Sequence, residues 1–261
     1  MERREKIAKL AQSKEDEVLL ARVYERITLA AQRNMPANSC FLSKREQMLV
    51  QELLRGEVFQ FFGGTELAER EVCCYLPEYL EESWLLSSDG PIAAVRATFF
   101  EEDTLTHRDF LGSLMGSGIK RETVGDIFVS TGSCDFLVLR EILPYVLQNL
   151  TSAGRTKLHA EEIALCDLHV PQQAVKTVRD TVSSLRLDGV VSSGFSISRG
   201  KAADYIAAGK CEHNYLPCQK GDKQVSEGDI ISVRGLGKIR LAQIGGNTKK
   251  GRISIEITRF L

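Results

Sequence analysis

No stretch of this chain is long and apolar enough to suggest a bilayer span. The longest run free of Asp, Glu, Lys and Arg is 13 residues, Ile142 to Gly154, whereas a membrane-spanning helix needs roughly 20 apolar residues. The amino terminus, MERREKIAKLAQSKEDE, lacks the apolar core of a secretory signal. The expectation is a cytoplasmic protein with no membrane partner. Cys-x-x-Cys pairs are absent and the cysteines number seven, an odd count. Reduced, buried thiols are therefore expected rather than a disulfide framework. Cys211, His213 and Cys218 lie close in sequence but have no fourth ligand and no knuckle spacing, so neither a metal nor another cofactor is expected.

Basic charge is scarce in the first two thirds of the chain and acidic charge is scarce in the last third. Residues 1–175 hold 19 Lys and Arg against 27 Asp and Glu, a balance of −8. Residues 176–261 hold 15 against 8, a balance of +7. A basic folded segment attached to an acidic one points to a polyanionic partner for the former.

The patterning predicts an α+β protein. Ser13 with Asp16, and Ser43 with Glu46, are helix-capping patterns ahead of apolar residues at helical spacing, Leu20, Val23, Ile27 and Ala31 in the first case. VFQFF and REVCCYL, around Gly63-Gly64, suggest a β-hairpin. Further on, PIAAVRATFF, THRDFLGSLMGSG, DIFVS, CDFLVL, REILPYVLQNL and TKLHAEEIAL spell strand, helix, strand, strand, helix, strand. That is the order of ferredoxin-like and RNA-recognition domains. The aromatic-glycine signature of the RNA-recognition strand is missing, because CDFLVL supplies only Phe136. Residues 167–182 read as a polar linker or a loose edge. Beyond them lie a helix at SSLRLDGVVSS, a second at SRGKAADYIAAGK between a Ser198 cap and Gly209, and strands at KCEHN, DIISVRG, KIRLAQI and RISIEIT.

Arg186-Leu187-Asp188, Ser198-Arg199, Ala202, Ile206, Gly209 and Asn214, Glu227-Gly228-Asp229-Ile230-Ile231 and Val233-Arg234-Gly235 stand in the order and spacing of an S4 RNA-binding domain, which they resemble over about 55 residues. Upstream, FFGGTELAERE, THRDFLGSLMGSGIKRETVGDIFV and LTSAGRTKLHAEEI, and downstream GGNTKKGRISI, resemble the YlmH family of bacterial S4-domain proteins. Ser43-Lys44 departs from that family's usual Asp-Pro, Ser117 from its usual Leu, and Gly251 interrupts a usually more polar tail. The expected organisation is a helical N-terminal segment with a β-hairpin (1–75), an α+β domain (76–166), a linker (167–182) and an S4 domain with basic C-terminal strands (183–261).

The resemblance implies a monomeric factor that engages structured RNA, namely ribosomal RNA and tRNA on the large ribosomal subunit, in quality control of stalled chains. Relatives are also linked to photosystem assembly and, by gene position, to cell division. The candidate RNA-binding residues are Arg186, Ser198, Arg199, Lys201, Lys210, Asn214, Arg234, Lys238, Arg240, Lys249, Lys250 and Arg252. The helix group (Arg186, Arg199, Lys201) and the strand group (Lys238, Arg240, Lys249, Lys250, Arg252) are expected to grip one RNA. His107, Arg108, Lys120 and Arg121 form a candidate second patch.

The rival class is an RNA-modifying enzyme. Arg186-Leu187-Asp188 is superficially similar to the catalytic segment of pseudouridine synthases. Only 73 residues follow Asp188, however, and the S4 match uses them. Asp188 is read instead as a helix-start residue that caps the helix or pairs with a nearby arginine. His107 and Asp109 suggest a general base, but no glycine-rich nucleotide loop or nucleophile motif accompanies them. No enzyme is expected. A third class, a protein-interaction module, would use the helices at 13–33 and 44–55, whose apolar faces are better explained by the domain's own core.

Overall fold

The structure, a computed structural model, describes residues 3–171, 174–248 and 251–261. The chain divides into two compact units, residues 1–171 and 172–261.

Unit 1 opens with α1 (Arg3–Leu10), α2 (Lys14–Arg33), β1 (Ala37–Leu42), α3 (Lys44–Leu53), β2 (Gln60–Phe62) and β3 (Glu71–Tyr75). The Ser13 hydroxyl accepts the Asp16 N–H at 3.1 Å and so caps α2. Ser43 and Glu46 cap α3 reciprocally. Leu20, Val23 and Ile27 are buried along one face of α2, the face that their spacing marks. The strands order as β1-β3-β2. The expected hairpin is thus a three-stranded sheet, and β1 is the added strand.

The remainder of unit 1 comprises β4 (Ile92–Thr98), α4 (His107–Gly116), β5 (Val124–Ser130), β6 (Ser133–Leu139), α5 (Leu143–Asn149), β7 (Ser152–Ala153), β8 (Thr156–Lys157) and β9 (His159–Ile163). Its main sheet runs β5-β6-β4-β9, with every neighbouring pair antiparallel. Two split β-α-β crossovers in this order give the ferredoxin-like arrangement that the strand and helix order predicts. Alternation along β4 and β6 fills two layers. Ala93, Val95, Ala97, Phe136 and Val138 pack with Phe110 and Leu114 of α4 and Val146 of α5. Ile92, Ala94, Leu137 and Leu139 pack with Phe41, Val72 and Cys74 of the N-terminal sheet. A sheet buried on both faces cannot be divided from either layer, so residues 1–75 are not a separate domain from 76–166.

Register slips between Val124 and Ile127, where β5 bulges against β6. A Cβ on Gly125 would stand 2.7 Å from Phe41 Cε1 and 2.9 Å from Leu137 Cβ. Gly125→Ala is therefore expected to cost about 1–3 kcal/mol through overpacking. Thermal unfolding checks this, and an unchanged melting temperature would contradict it.

Unit 2 contains β10 (Val175–Val182), α6 (Leu187–Phe195), α7 (Arg199–Ala207), β11 (Cys211–His213), β12 (Leu216–Pro217), β13 (Ile230–Val233), β14 (Gly237–Asn247) and β15 (Ile253–Phe260). The sheet order is β10-β15-β14-β13-β11-β12. Of the two readings of residues 167–182, the edge holds over their second half, where β10 pairs with β15 from Val175 to Val182. It is an edge strand, mostly exposed, so its sequence is polar and reads as a connection. Val190, Val191 and Phe195 of α6 bury against Ile239, Leu241, Ile255 and Ile257 of the sheet. A Cβ on Gly194 would meet Ile239 Cδ1 at 2.5 Å, so glycine sets how closely α6 lies on β14.

Candidate nucleic-acid interface

The helix pair of unit 2 is built around one carboxylate. Asp188, in the first turn of α6, is 7% exposed. Arg186, the residue that caps α6, reaches it with Nη2 to Oδ2 at 3.1 Å. Arg199, the first residue of α7, donates from Nη2 to Oδ1 at 2.9 Å and Oδ2 at 3.2 Å. Burial pushes the Asp188 carboxyl up, and the bonds and charges of the two arginines outweigh that and hold it below the usual carboxylate range. One negative charge thus orients two guanidinia that remain partly open to solvent, with side chains 39% and 51% exposed.

The start of α7 adds to this surface. The Ser198 hydroxyl accepts the Lys201 N–H at 3.3 Å, so it is engaged as the helix cap. Arg199 and Lys201 are both exposed in the first turn. Cations there oppose the helix dipole and do nothing for helix stability. Together with the backbone N–H groups of a helix start, they suit a bound phosphate.

The other sequence-predicted residues divide. Lys210 and Arg234 are exposed neighbours, the Arg234 N–H donating to Lys210 O at 2.8 Å. Both line an open notch of about 320 Å³. The Lys210 ammonium lies 5.5 Å from the Tyr205 ring centroid. Asn214 is committed to a turn. Its Nδ2 donates to Asp229 Oδ1 at 2.7 Å, and its Oδ1 accepts the Ile230 N–H at 2.8 Å. Its amide holds the fold and is not a free RNA contact. The adjacent His213 Nε2 lies 2.6 Å from Asp229 Oδ2, while its buried Nδ1 has no hydrogen-bond partner among the described residues. Arg252 donates to the Thr181 hydroxyl at 2.9 Å and to the Thr181 carbonyl, fastening the turn after β14 to β10. Lys249 and Lys250 lie outside the described residues.

Lys238 and Arg240 do not join the helix group. Ile239 and Leu241 are fully buried beneath α6. Successive side chains on a strand point to opposite faces, so Lys238 and Arg240 project from the other side of the sheet. There the Lys238 ammonium sits 5.1 Å from the Phe260 ring centroid. The expectation that helices and strands grip one RNA together is corrected for Lys238 and Arg240, which stand on the face of the sheet opposite the helices.

In unit 1, His107, Arg108 and Lys120 are exposed. Arg121 is half-buried and donates to Val124 O at 2.6 Å and Gly125 O at 3.2 Å. Beside it stands Arg70, which the residue-by-residue reading did not single out although it lies within the FFGGTELAERE block. Only the meeting of the β3 approach with β5 reveals it.

Residues 98–167 match a protein-family model described as "Putative RNA-binding domain in YlmH". The chain is 34% identical over 222 residues to "Ribosome-associated protein quality control protein P2" of Bacillus subtilis (strain 168), across 84% of this chain and 85% of that protein. The chain belongs to the YlmH family. A solved structure, "Cell division protein ylmH from Streptococcus pneumoniae", is 21% identical with a TM-score of 0.49, and the match covers 62% of this chain and 98% of that one. The matched domain of this YlmH-family chain runs from the end of β4 past β9, and so includes His107, Arg108, Lys120 and Arg121 but not Arg70.

Acid should unlock unit 2 in a defined window. Burial raises the Asp229 carboxyl, but the bonds from the Ser226 N–H, Asn214 and His213 hold it below its ordinary value, as the arginines hold Asp188. Groups with depressed pKa stabilise the fold above the unfolded-state value of about 3.9, and that stability is lost as pH falls below it. Amide protection of unit 2, taken relative to the exchange rate of an unstructured chain at each pH, should be level down to about pH 4 and fall below it. Asp188→Asn should flatten the acid limb, and an identical profile would contradict the assignment.

Proposed function

We propose that this YlmH-family chain binds structured RNA, ribosomal RNA and tRNA, on the large ribosomal subunit. It acts in the cytoplasm as a monomeric, non-enzymatic factor in quality control of stalled chains. The observation that carries this reading is the Asp188 clamp. It presents Arg186 and Arg199 as an oriented pair beside Lys201 and the start of α7. Guanidinia held in this way follow phosphates and RNA shape rather than base sequence. The name of the Bacillus relative supports the ribosomal setting, and the family match over residues 98–167 supports RNA contact by unit 1 as well. The pseudouridine-synthase reading is disfavoured because both Asp188 oxygens are taken by arginines.

Sedimentation of the purified chain with large subunits tests this directly. Binding through phosphates releases counterions, so three contacts should cost roughly fortyfold in affinity between 50 and 200 mM salt. Affinity that is level across that range, or absence of the chain from ribosomal particles, would contradict the proposal.

A further inference from the structure

Two half-buried arginines of unit 1 converge on one carbonyl. Arg70, just before β3, donates from Nε to Val124 O at 3.1 Å and from Nη2 to Phe41 O at 3.0 Å. Arg121 donates from Nη1 to the same Val124 O. The β5 bulge turns the Val124 and Gly125 carbonyls away from the ladder and toward these side chains. Among the described residues neither arginine has a carboxylate oxygen within 4.0 Å.

The nearby acids pair with neither arginine, although the Asp126 charge favours the charged form of both and offsets part of their repulsion. Asp126 accepts the backbone N–H of Glu69 at 2.7 Å and of Arg70 at 3.2 Å. The Glu46 carboxylate caps α3 through Ser43. His107, at the start of α4, lies within reach of the Arg121 charge, and burial and that charge hold the ring below its ordinary pKa. Burial and the like charge of Arg70 bring the Arg121 guanidinium down to about 10.

Satisfying two or three carbonyls does not need positive charge, because a neutral amide would do it at lower desolvation cost. Two desolvated cations side by side are a strained arrangement that a bound anion relieves, and a forked guanidinium matches phosphate oxygens in particular. Exposed Arg108 and Lys120 continue the positive surface beside His107 and Arg121.

We propose that Arg70 and Arg121 form a phosphate-binding site on unit 1. It takes a phosphodiester of an RNA backbone or a free phosphate. The site deepens, and for its RNA arm rests on, the reading that unit 1 contacts RNA; it is independent of the unit 2 surface, since all of its residues lie within residues 1–171.

The test uses the full chain carrying Arg199→Ala and Lys201→Ala, so that loss of the unit 2 surface cannot be mistaken for loss of this site. The Nε–Hε signals of Arg70 and Arg121 are followed by NMR during two titrations. One uses a ten-nucleotide oligouridylate without terminal phosphates, and the other uses inorganic phosphate. Movement of both signals with the oligonucleotide supports the site and assigns it to the backbone. Movement with inorganic phosphate alone supports it as a free-phosphate site. Signals that neither titrant moves overturn it. A second measurement uses Arg70→Gln with Arg121→Gln, which keeps amide donors for the carbonyls and removes the charge. Affinity for whichever titrant moved the signals should fall at least tenfold, and unchanged affinity would overturn the proposal. Should the double variant fail to fold, the signals of the parent decide.

Discussion

Replacing Arg199 and Lys201 together with alanine is expected to weaken binding to large ribosomal subunits at least tenfold while leaving unit 2 folded. Charge-assisted hydrogen bonds are worth about 1.5–3 kcal/mol each when well formed, so losing one already passes the tenfold mark of about 1.4 kcal/mol. Loss of the exposed Lys201 should change stability by about 0–1 kcal/mol, whereas loss of Arg199 also removes one of the two partners of the buried Asp188 and should cost more. Arg199 is the more informative of the two. Its loss also leaves Asp188 with Arg186 alone, so a single Arg199→Ala variant tests the clamp and the contact together. The single Lys201→Ala variant removes one cation without disturbing the clamp. A variant pair that binds like the parent would show that the helix face is not the RNA surface.

The largest stability effect is expected at Asp135. Its side chain is 1% exposed and accepts Arg96 Nε at 2.8 Å and Nη2 at 2.6 Å, with the His169 N–H on the same carboxylate at 2.8 Å. This ion pair is more than a link between β4 and β6. Arg96 also donates to Asp167 O at 2.7 Å, so the pair fastens the segment after β9 to the sheet. Asp135→Ala leaves a guanidinium without its counter-charge and a backbone N–H without its acceptor. Breaking a buried pair from one side typically costs about 3–5 kcal/mol. The expected result in chemical denaturation is a large fall in unit 1 stability, with early loss of amide protection at residues 167–169. A shift under about 1 kcal/mol would mean that the pair is dispensable. Asp135→Asn should fall between the parent and alanine, since it keeps an acceptor without the charge.

Much of this fold is legible in sequence where the determinants are local. Ser13, Ser43 and Ser198 mark helix starts because a cap needs only a hydroxyl a few residues from a free N–H. The β-α-β-β-α-β order is legible because each segment carries its own period. Strand β1, ANSCFL, is not, since it owes its state to pairing with β3. Strand β10 is hidden by being an edge, and the missing boundary at residue 75 reflects a core assembled from both sides of one sheet.

The candidate site shows the same division. That Arg186, Asp188 and Arg199 belong together is within reach of sequence, because short spacing on two successive helices allows it. The opposition of Lys238 and Arg240 to the helices is half-legible. Their alternation with Ile239 and Leu241 marks two faces, but only the packing of α6 says which face is covered. The meeting of Arg70 with Arg121 depends on a bulge in β5 and on the approach to β3, elements that lie far apart in sequence.

The most direct test of the central claim compares salt slopes. Affinity for large ribosomal subunits is measured against salt concentration for the parent, for Arg199→Ala with Lys201→Ala, and for Lys238→Ala with Arg240→Ala. Each lost phosphate contact should lower the slope of log affinity against log salt by about 0.7–0.9. The account predicts that the helix-face variant loses about two such contacts and that the sheet-face variant keeps the parent's slope. A sheet-face variant with the reduced slope, beside a helix-face variant that retains it, would contradict the account.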